Sequence, residues 1–501
     1  MVLLGIDLGT SACKAALYAA DGTMLAAGSA PLEVARPQPG WAEQEPEAMW
    51  HAACGAIRTA LRTAGVQPGE VRAVWACGHS PTLLLLDEAG RPVRPAIIWQ
   101  DTRAAAAAQE LAEAAGPRWS ELLGTHFPVS PTFAPARLLW LQRHEPAVLQ
   151  RARTALEPKD YLHYRLTGVR VSDRWSAKGL VHMATGRPIR FWQERFGLPD
   201  TLAPPIAEPH ERIGAVTAEA AAQTGLLAGT PVACGWTDGL AAMLGSGAFL
   251  GNGGGYLVSG TSEVIGAVLR GAPSGDARLL EVPAPHGRLA IFGPTQCSGA
   301  ALTWFVEHFL GGDTARALEL AAGSPPGARG LIFLPYLEGE RAPLWDATAR
   351  GLFFGIALIH GPGDFVRAIL EGVAASIRHV LDAIEEAAGT QVTHLRLAGG
   401  GARSGLWNQI KADMLSRPVV LTSAEPGTLG AALLAGVAAG VWPDLLAASM
   451  IVRITGRWEP RPDYRARYNQ LYELYRALYP RLRELYHALP ALAADTSVHL
   501  L

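Results

Sequence analysis

The 501-residue chain is poor in the residues that mark several classes of function. Its five cysteines, Cys13, Cys54, Cys77, Cys234 and Cys297, are odd in number and widely spaced. They neither build a disulfide framework nor fall at zinc-ligand spacing, and their apolar surroundings predict small buried hydrophobes. Only four lysines occur, Lys14, Lys159, Lys178 and Lys411. With the many arginines and alanines, this scarcity is read as the mark of a GC-rich genome. Charge of one sign is missing too: Lys+Arg 43 against Asp+Glu 45 leaves a net charge of −2, which argues against a nucleic-acid or anionic-membrane surface. No apolar run reaches membrane-spanning length. The N-terminus enters a strand pattern without a basic region, a long apolar region or a cleavage site, so a cytoplasmic protein is expected. Missing motifs narrow the field further. Without G-x-x-x-x-G-K-[ST] the chain is no P-loop NTPase, and without H-R-D and D-F-G it is no protein kinase. H-E-x-x-H spacing and a G-x-S-x-G elbow are absent as well.

What is present describes a well-packed globular protein. The apolar fraction is 49% and the charged fraction 18%, and the length predicts two domains. Strand patterns cover Val2–Asp7, Lys14–Tyr18 and, after an Asp21-Gly22 turn, Met24–Ser29. A helix over Glu47–Ala64 and a strand over Val71–Cys77 follow. A hairpin is expected to join Leu83–Asp87 to Ile97-Ile98-Trp99 through Glu88–Arg91. Antiparallel hairpins alternating with helices predict a mixed sheet covered by helices. The stretch from Thr102 to about Arg190 is expected to be largely helical. Pro/Gly-rich joints lie near Thr201–Pro209 and Ala228–Pro231. The boundary is set near residue 245, giving domains 1–245 and 246–501. Tyr464, Tyr468, Tyr472, Tyr475, Tyr479, Leu482 and Tyr486 share one helical face, interrupted or kinked near Pro480. That face is assigned to packing on its domain, not to a ligand.

Chemistry concentrates in a few segments. Gly9-Thr10-Ser11 and Gly260-Thr261-Ser262 repeat one tripeptide near the start of each half, each after an apolar run. Such turns leave N–H groups and hydroxyls free for phosphate oxygens. Asp7, beside the first turn, suits a hydrated Mg²⁺, which takes one or two protein carboxylates; its alternative is a solvated strand end. Asp238, in Gly235-Trp236-Thr237-Asp238-Gly239, reads two ways: a base that accepts a hydroxyl proton, or the cap of a helix starting near Leu240. Leu397-Ala398-Gly399-Gly400-Gly401-Ala402-Arg403-Ser404 is a nucleotide seat or a helix joint capped by Ser404. Trp99-Gln100-Asp101-Thr102-Arg103 suits a polyhydroxylated ligand, with Trp41 or Trp99 stacking on it, or is a turn with a local ion pair.

Taken together, these segments resemble the FGGY carbohydrate kinases, xylulose kinases most closely. The resemblance runs along nearly the whole chain. It rests on Gly5–Ser11, Gly40–Gln44, Arg94–Asp101, Glu157–Tyr161, Phe333–Arg341 and Leu397–Ser404. It implies two actin-like, ribonuclease-H-like α/β domains with mixed sheets flanked by helices, and an active site with ATP and sugar in the interdomain cleft. Carried over by position, it makes Asp238 the base, against the simple cap, and lets Asp7 hold Mg²⁺ through water. Gly9, Thr10, Ser11 and Lys14 fall near the transferred phosphoryl group. Gly260, Thr261 and Ser262 fall at the β- and γ-phosphates, and Gly399, Gly400, Gly401 and Asn408 at the adenosine. An ordinary aspartate, with a pKa of about 3.9, is a weak base, so Asp238 is expected to orient the hydroxyl and take its proton late.

The departures concern the acceptor, for which Trp41, Gly78, His79, Ser80, Gln100, Asp101, Arg103, Trp236 and Asp238 are the candidate contacts. Xylulose kinases of the best-known type carry Met-His where this chain has Ser80-Pro81, and glycerol kinases carry Arg-Glu there. Glycerol is thereby disfavoured and xylulose weakened. The expected reaction is ATP- and Mg²⁺-dependent phosphorylation of a primary hydroxyl of a ketopentose, D-xylulose first. Ribulose, a tetritol or a sugar acid are alternatives within the class, and a non-catalytic sugar sensor or an assembly protein outside it. Expected partners are a sugar and ATP, with neither nucleic acid nor membrane; the resemblance is compatible with a homodimer.

Overall fold

The computed structural model describes residues 1–250, 253–271, 273–284, 287–422 and 425–495. Gly251 and Asn252, in the glycine-rich run Gly251-Asn252-Gly253-Gly254-Gly255 of the sequence, lie outside the described residues. The chain forms two compact units, Met1–Phe249 with Glu425–Val452, and Leu250–Ala424 with Arg453–Leu501. A division at residue 245 alone would leave 425–452 with the second half; the structure packs it into the first unit.

The first unit is built on a mixed sheet. Val2–Leu8 (β1), Ala12–Ala19 (β2) and Met24–Pro31 (β3) form an antiparallel meander. Val71–Gly78 (β4) runs parallel to β1 on its other side. Beyond β4 lie Arg212–Ala215 (β5), Pro231–Ala233 (β6) and the short Trp236–Thr237 (β7), which pairs in parallel with β4. Helix Pro46–Ala64 (α1) starts with proline, whose fixed φ suits a first helical turn, and ends at Gly65 with a left-handed φ of 65°. Its Met49, Trp50, Ala53, Ile57 and Ala60 are buried in one core with Leu4, Ile6, Leu17 and Val74. Helix Asp238–Gly245 (α3) follows β7 directly.

One local expectation is met and extended, and one changes. The hairpin through Glu88–Arg91 forms, with Asp87 N–H on the Arg91 carbonyl (2.9 Å) and Leu83 paired with Ile97, and Leu84–Leu86 adds a ladder with Thr154–Leu156. The expected helical stretch ends with Pro158–Thr167 (α2), and 168–189 is irregular. Gly168 stops the helix with φ 78°. Asp173 then takes the N–H groups of Trp175 (2.9 Å) and Ser176 (3.2 Å), offering the backbone local partners in place of helix bonds.

The second unit repeats the strand–turn–strand opening. Gly254–Ser259 (β8) and Glu263–Arg270 (β9) flank the second Gly-Thr-Ser turn, and β9 continues into Arg288–Pro294 (β11) and Leu280–Ala284 (β10). His394–Ala398 (β12) lies parallel to β8, followed by Val419–Leu421 (β13) and Gly456–Trp458 (β14). Helices Gly299–Phe309 (α4), Pro362–Ala388 (α5) and Gly405–Leu415 (α6) cover it. The tyrosine face belongs to one helix, Arg465–Asp495 (α8), which runs through Pro480 as a single helix. Tyr468, Tyr472, Tyr475 and Tyr486 are buried in this unit's core. Three of the hydroxyls find partners there, Tyr475 on Tyr336 (2.7 Å), Tyr468 on Glu371 (2.9 Å) and Tyr472 on Asp382 (2.6 Å), which is packing and not ligand stacking.

Candidate functional site

Parallel pairing brings the two key aspartates to one edge of the first sheet. Asp7 of β1 registers with Cys77 of β4, and Cys77 with Trp236 of β7. Two strand spacings of about 4.8 Å separate the backbones of β1 and β7, and Asp238 stands one residue past the end of β7. The carboxyl ends of parallel strands are where open α/β sheets bind ligands. Asp238 is the first helical residue of α3, while Thr237 occupies the cap position. Its Oδ1 accepts the N–H of Gly239 at 2.7 Å.

Burial pushes the half-buried Asp238 carboxyl up to about 7, the Asp7 charge adds to the rise, and the Gly239 N–H opposes it. That replaces the expectation of an ordinary carboxylate: the surroundings raise Asp238 to the neutral range in which a carboxylate can serve as a general base. Burial also raises Asp7, against a hydrogen bond from Cys77 and the charge of Lys14.

The first Gly-Thr-Ser turn closes with Gly9 N–H on the Ala12 carbonyl (3.0 Å). The Trp99 indole N–H donates to Thr10 Oγ1 (2.8 Å), and the Gln44 amide donates to the Thr10 carbonyl (2.7 Å). Ser11 is exposed. Lys14 extends to Glu425, 2.8 Å away. Glu425 precedes Pro426–Ala438 (α7), whose Gly427 touches the Asp7 carboxylate so closely that a Cβ there would collide with Oδ2.

The acceptor candidates divide. Ser80 is half-buried; its hydroxyl donates to Glu157 Oε1 (2.8 Å) and accepts from Lys178 (2.7 Å). His79, next to Gly78, is 2% exposed and shares Nδ1 with Thr82 Oγ1 at 2.9 Å. Burial lowers its pKa to about 3, so the ring is neutral, and Nε2 has no partner. Asp101 and Arg103 are bound to one another (2.6 Å), with Arg103 also on Glu43 (2.7 Å) and its guanidinium 3.7 Å from the Trp41 ring centre. Gln100 accepts from Arg36 (2.9 Å). Trp236 is buried against Phe249 with ring centres 6.2 Å apart. The structure therefore gathers Asp7, Asp238, Gly78 and the base of the Ser80 loop at one sheet edge. It engages Trp41, Asp101, Arg103 and Trp236 in packing and ion pairs.

In the second unit, β8 and β12 run parallel with Val258 opposite Ala398, which places the Gly260–Ser262 turn and Gly399 at one sheet edge. The turn closes with Gly260 N–H on the Ser262 carbonyl (2.9 Å), and Gly299 N–H at the start of α4 bonds the Gly260 carbonyl (3.1 Å). Under it lies a fully buried cluster: Glu263 Oε1 accepts from Ser259 (2.6 Å), Ser298 (2.6 Å) and Lys411 (3.1 Å), and Lys411 also donates to Ser259 (2.7 Å). Gly399 and Gly401 pack on Ser259 of this cluster, whereas the Gly400 position faces open space. Asn408 is fully buried and donates to the Ala402 carbonyl at 2.8 Å, so it holds the glycine loop from behind.

Residues 2–245 match the FGGY family of carbohydrate kinases, N-terminal domain, and residues 255–439 match its C-terminal domain. The chain belongs to the FGGY carbohydrate kinases. It is 34% identical to a xylulose kinase of Escherichia coli K12, over 88% of this chain and 91% of that one. Among solved structures it is similar to a xylulose kinase from Rhodospirillum rubrum (TM-score 0.85, 34% identity, 97% of this chain and 100% of that one). It is also similar to a gluconate kinase from Lactobacillus acidophilus (TM-score 0.88, 26% identity, 97% and 99%).

Further residues adjoin the candidate site residues in ways that spacing along the chain did not reveal. Glu425 and Gly427 adjoin Asp7 only through the fold. Glu157 and Lys178 meet under Ser80 from an α2 cap and an irregular segment. Glu263 had a signal, since it directly follows the second Gly-Thr-Ser. Among the described residues no three His, Cys, Asp or Glu side chains group as a metal cage. One carboxylate with an adjacent side-chain-free glycine fits a hydrated Mg²⁺, which keeps most of its waters. Among the described residues no helix is long and apolar enough to cross a membrane.

Proposed function

We propose that this carbohydrate kinase transfers the terminal phosphoryl group of ATP to a primary hydroxyl of a ketopentose, D-xylulose first. The observation that carries the reading is Asp238, a carboxylate lifted to about 7 at the same sheet edge as Asp7. Phosphoryl transfer asks the protein for positioning and charge stabilisation more than for covalent help. Asp238, with Oδ1 held by Gly239, takes the acceptor's hydroxyl proton on Oδ2 as that oxygen attacks phosphorus. Asp7 holds the Mg²⁺, which when bound neutralises phosphate charge. Thr10 and Ser11 offer hydroxyls, and Lys14 a charge, to the transferred group. In the second unit Gly260, Thr261 and Ser262 hold the β- and γ-phosphates, and Gly399–Gly401 admit the adenosine, with Asn408 supporting their loop.

The choice of D-xylulose follows the names of the relatives and not a Met-His pair, which this chain lacks. A sugar acid is the second reading, favoured by the likeness to a gluconate kinase. The testing experiment is a coupled ADP-release assay over D-xylulose, D-ribulose, pentitols, erythritol and D-gluconate, with a no-sugar control. Turnover highest with D-xylulose supports the reading. A different best acceptor replaces the substrate and keeps the mechanism, and ATP binding without any turnover favours a sensor.

A further inference from the structure

Two ionisable side chains that the reaction above does not use meet beneath Ser80. Lys178 has three N–H groups, and each has a partner: Ser80 Oγ at 2.7 Å, the Trp175 carbonyl at 3.0 Å and Glu157 Oε1 at 3.3 Å. Glu157 Oε1 in turn accepts the Ser80 hydroxyl at 2.8 Å and the Thr82 N–H at 3.4 Å. Glu157 is 5% exposed and Lys178 6%, whereas Ser80 is half-buried. Both charges act on Asp238, Glu157 raising its pKa and Lys178 lowering it, so the cluster lies within electrostatic reach of the base.

A serine hydroxyl has one hydrogen and two lone pairs. At Ser80 the hydrogen goes to Glu157 and one lone pair to Lys178. One lone pair remains, and the three Lys178 N–H groups are all engaged within the cluster.

We infer that Ser80, clamped by Glu157 and Lys178, is a specificity point that accepts a hydrogen bond from a hydroxyl of a neutral polyhydroxy acceptor and rejects a carboxylate. Glu157 and Lys178 are positioning residues that act through Ser80. The inference rests on the proposed kinase reading and decides between its two acceptor classes. A lone pair facing a carboxylate oxygen is repulsive, and a carboxylate has no hydrogen to offer. An ion pair that merely held the loop would give stability without acceptor preference.

The test uses the full-length enzyme with D-xylulose, D-arabinitol and D-gluconate, and variants Ser80→Ala, Glu157→Gln and Lys178→Met. The wild type is expected to favour a neutral acceptor over D-gluconate by about 100-fold or more in kcat/KM. Ser80→Ala should raise the KM of the neutral acceptor about tenfold and leave the KM of ATP unchanged. Glu157→Gln keeps an acceptor oxygen for Ser80 but removes the negative charge beside Lys178, so the neutral-to-acid ratio should fall about tenfold, with thermal unfolding verifying that the near-isosteric variant is folded. Lys178→Met should weaken neutral acceptors without improving D-gluconate. A wild type that prefers D-gluconate overturns the inference. So does an active wild type whose ratio stays within about twofold in both Ser80→Ala and Glu157→Gln. A wild type that phosphorylates none of the acceptors, while still binding ATP, removes the kinase reading and the inference with it.

Discussion

Asp238 sits where opposing effects meet. At a helix start, unpaired N–H groups favour the anion, and Gly239 does lower the pKa. Burial and the neighbouring Asp7 charge act the other way and win, leaving the carboxyl at about 7. The base form is the ionised one, so kcat/KM for the acceptor should fall about tenfold per pH unit below about 7 and level off above it. Asp238→Asn should lose about 10²–10⁴-fold in kcat and the pH dependence with it, while affinity for a non-hydrolysable ATP analogue is kept. The same shift acts on stability. A carboxyl raised in the folded state is at full advantage below its unfolded pKa of about 4, and that advantage is lost as pH rises through about 7. Above that, the folded protein carries a disfavoured charge that asparagine lacks. Asp238→Asn should therefore gain about 1–2 kcal/mol at pH 8 after discounting for solvent screening, and none at pH 4. Thermal unfolding at the two pH values measures it; an active Asn variant would remove Asp238 from the base role.

At the scale of elements, the two Gly-Thr-Ser turns occupy matching places, each between the first two antiparallel strands of its unit. They are fastened differently. Trp99 and Gln44 reach the first from across the sheet edge. The second is underpinned by Glu263 and Lys411, both fully buried, which join the ends of β8 and β9 to Ser298 before α4 and to helix α6, which also carries Asn408. Removing one partner of such a pair leaves an uncompensated buried charge and costs about 3–5 kcal/mol. Lys411→Met should lower stability by about that amount and raise the KM of ATP about tenfold or more, with the KM of the acceptor unchanged. The double variant Lys411→Met/Glu263→Gln removes the orphaned charge and should recover most of the stability but not the ATP affinity. Calorimetry and steady-state kinetics on the three proteins check this. Equal changes in both KM values would show that the pair supports the unit as a whole and not the turn.

On the scale of the whole molecule, what could be seen in the chain was what is local. The strand–turn–strand openings, α1, the tyrosine face and the glycine loop at Gly399–Gly401 all follow from patterns within a few dozen residues. The four lysines show the limit: read as a compositional remnant, they stand at Glu425, Asp173, Glu157 and Glu263, each in an ion pair at or near a candidate site. No spacing rule predicts such pairs, because their partners come from other elements. Helix α7 is the largest case. Its pattern is apolar all round, which indicates burial but not against what. It lies on β1 and α3, so close that a Cβ at Gly5 would strike the Thr428 carbonyl and one at Gly430 the Ala241 carbonyl. Pro426–Gly436 of α7 are buried without interruption. The first unit thus depends on a segment that the chain reaches only after building most of the second. A fragment ending at residue 249 would expose the seat of α7 on β1, β4 and α3, an apolar surface with no substitute cover. It should show no cooperative thermal transition and should bind a hydrophobic dye. Joining 425–452 to that fragment through about twenty Gly/Ser residues, which span roughly 25 Å, should restore a single transition by circular dichroism. Cooperative unfolding of the fragment without 425–452 would show that the helix is an accessory to the first unit and not part of its core.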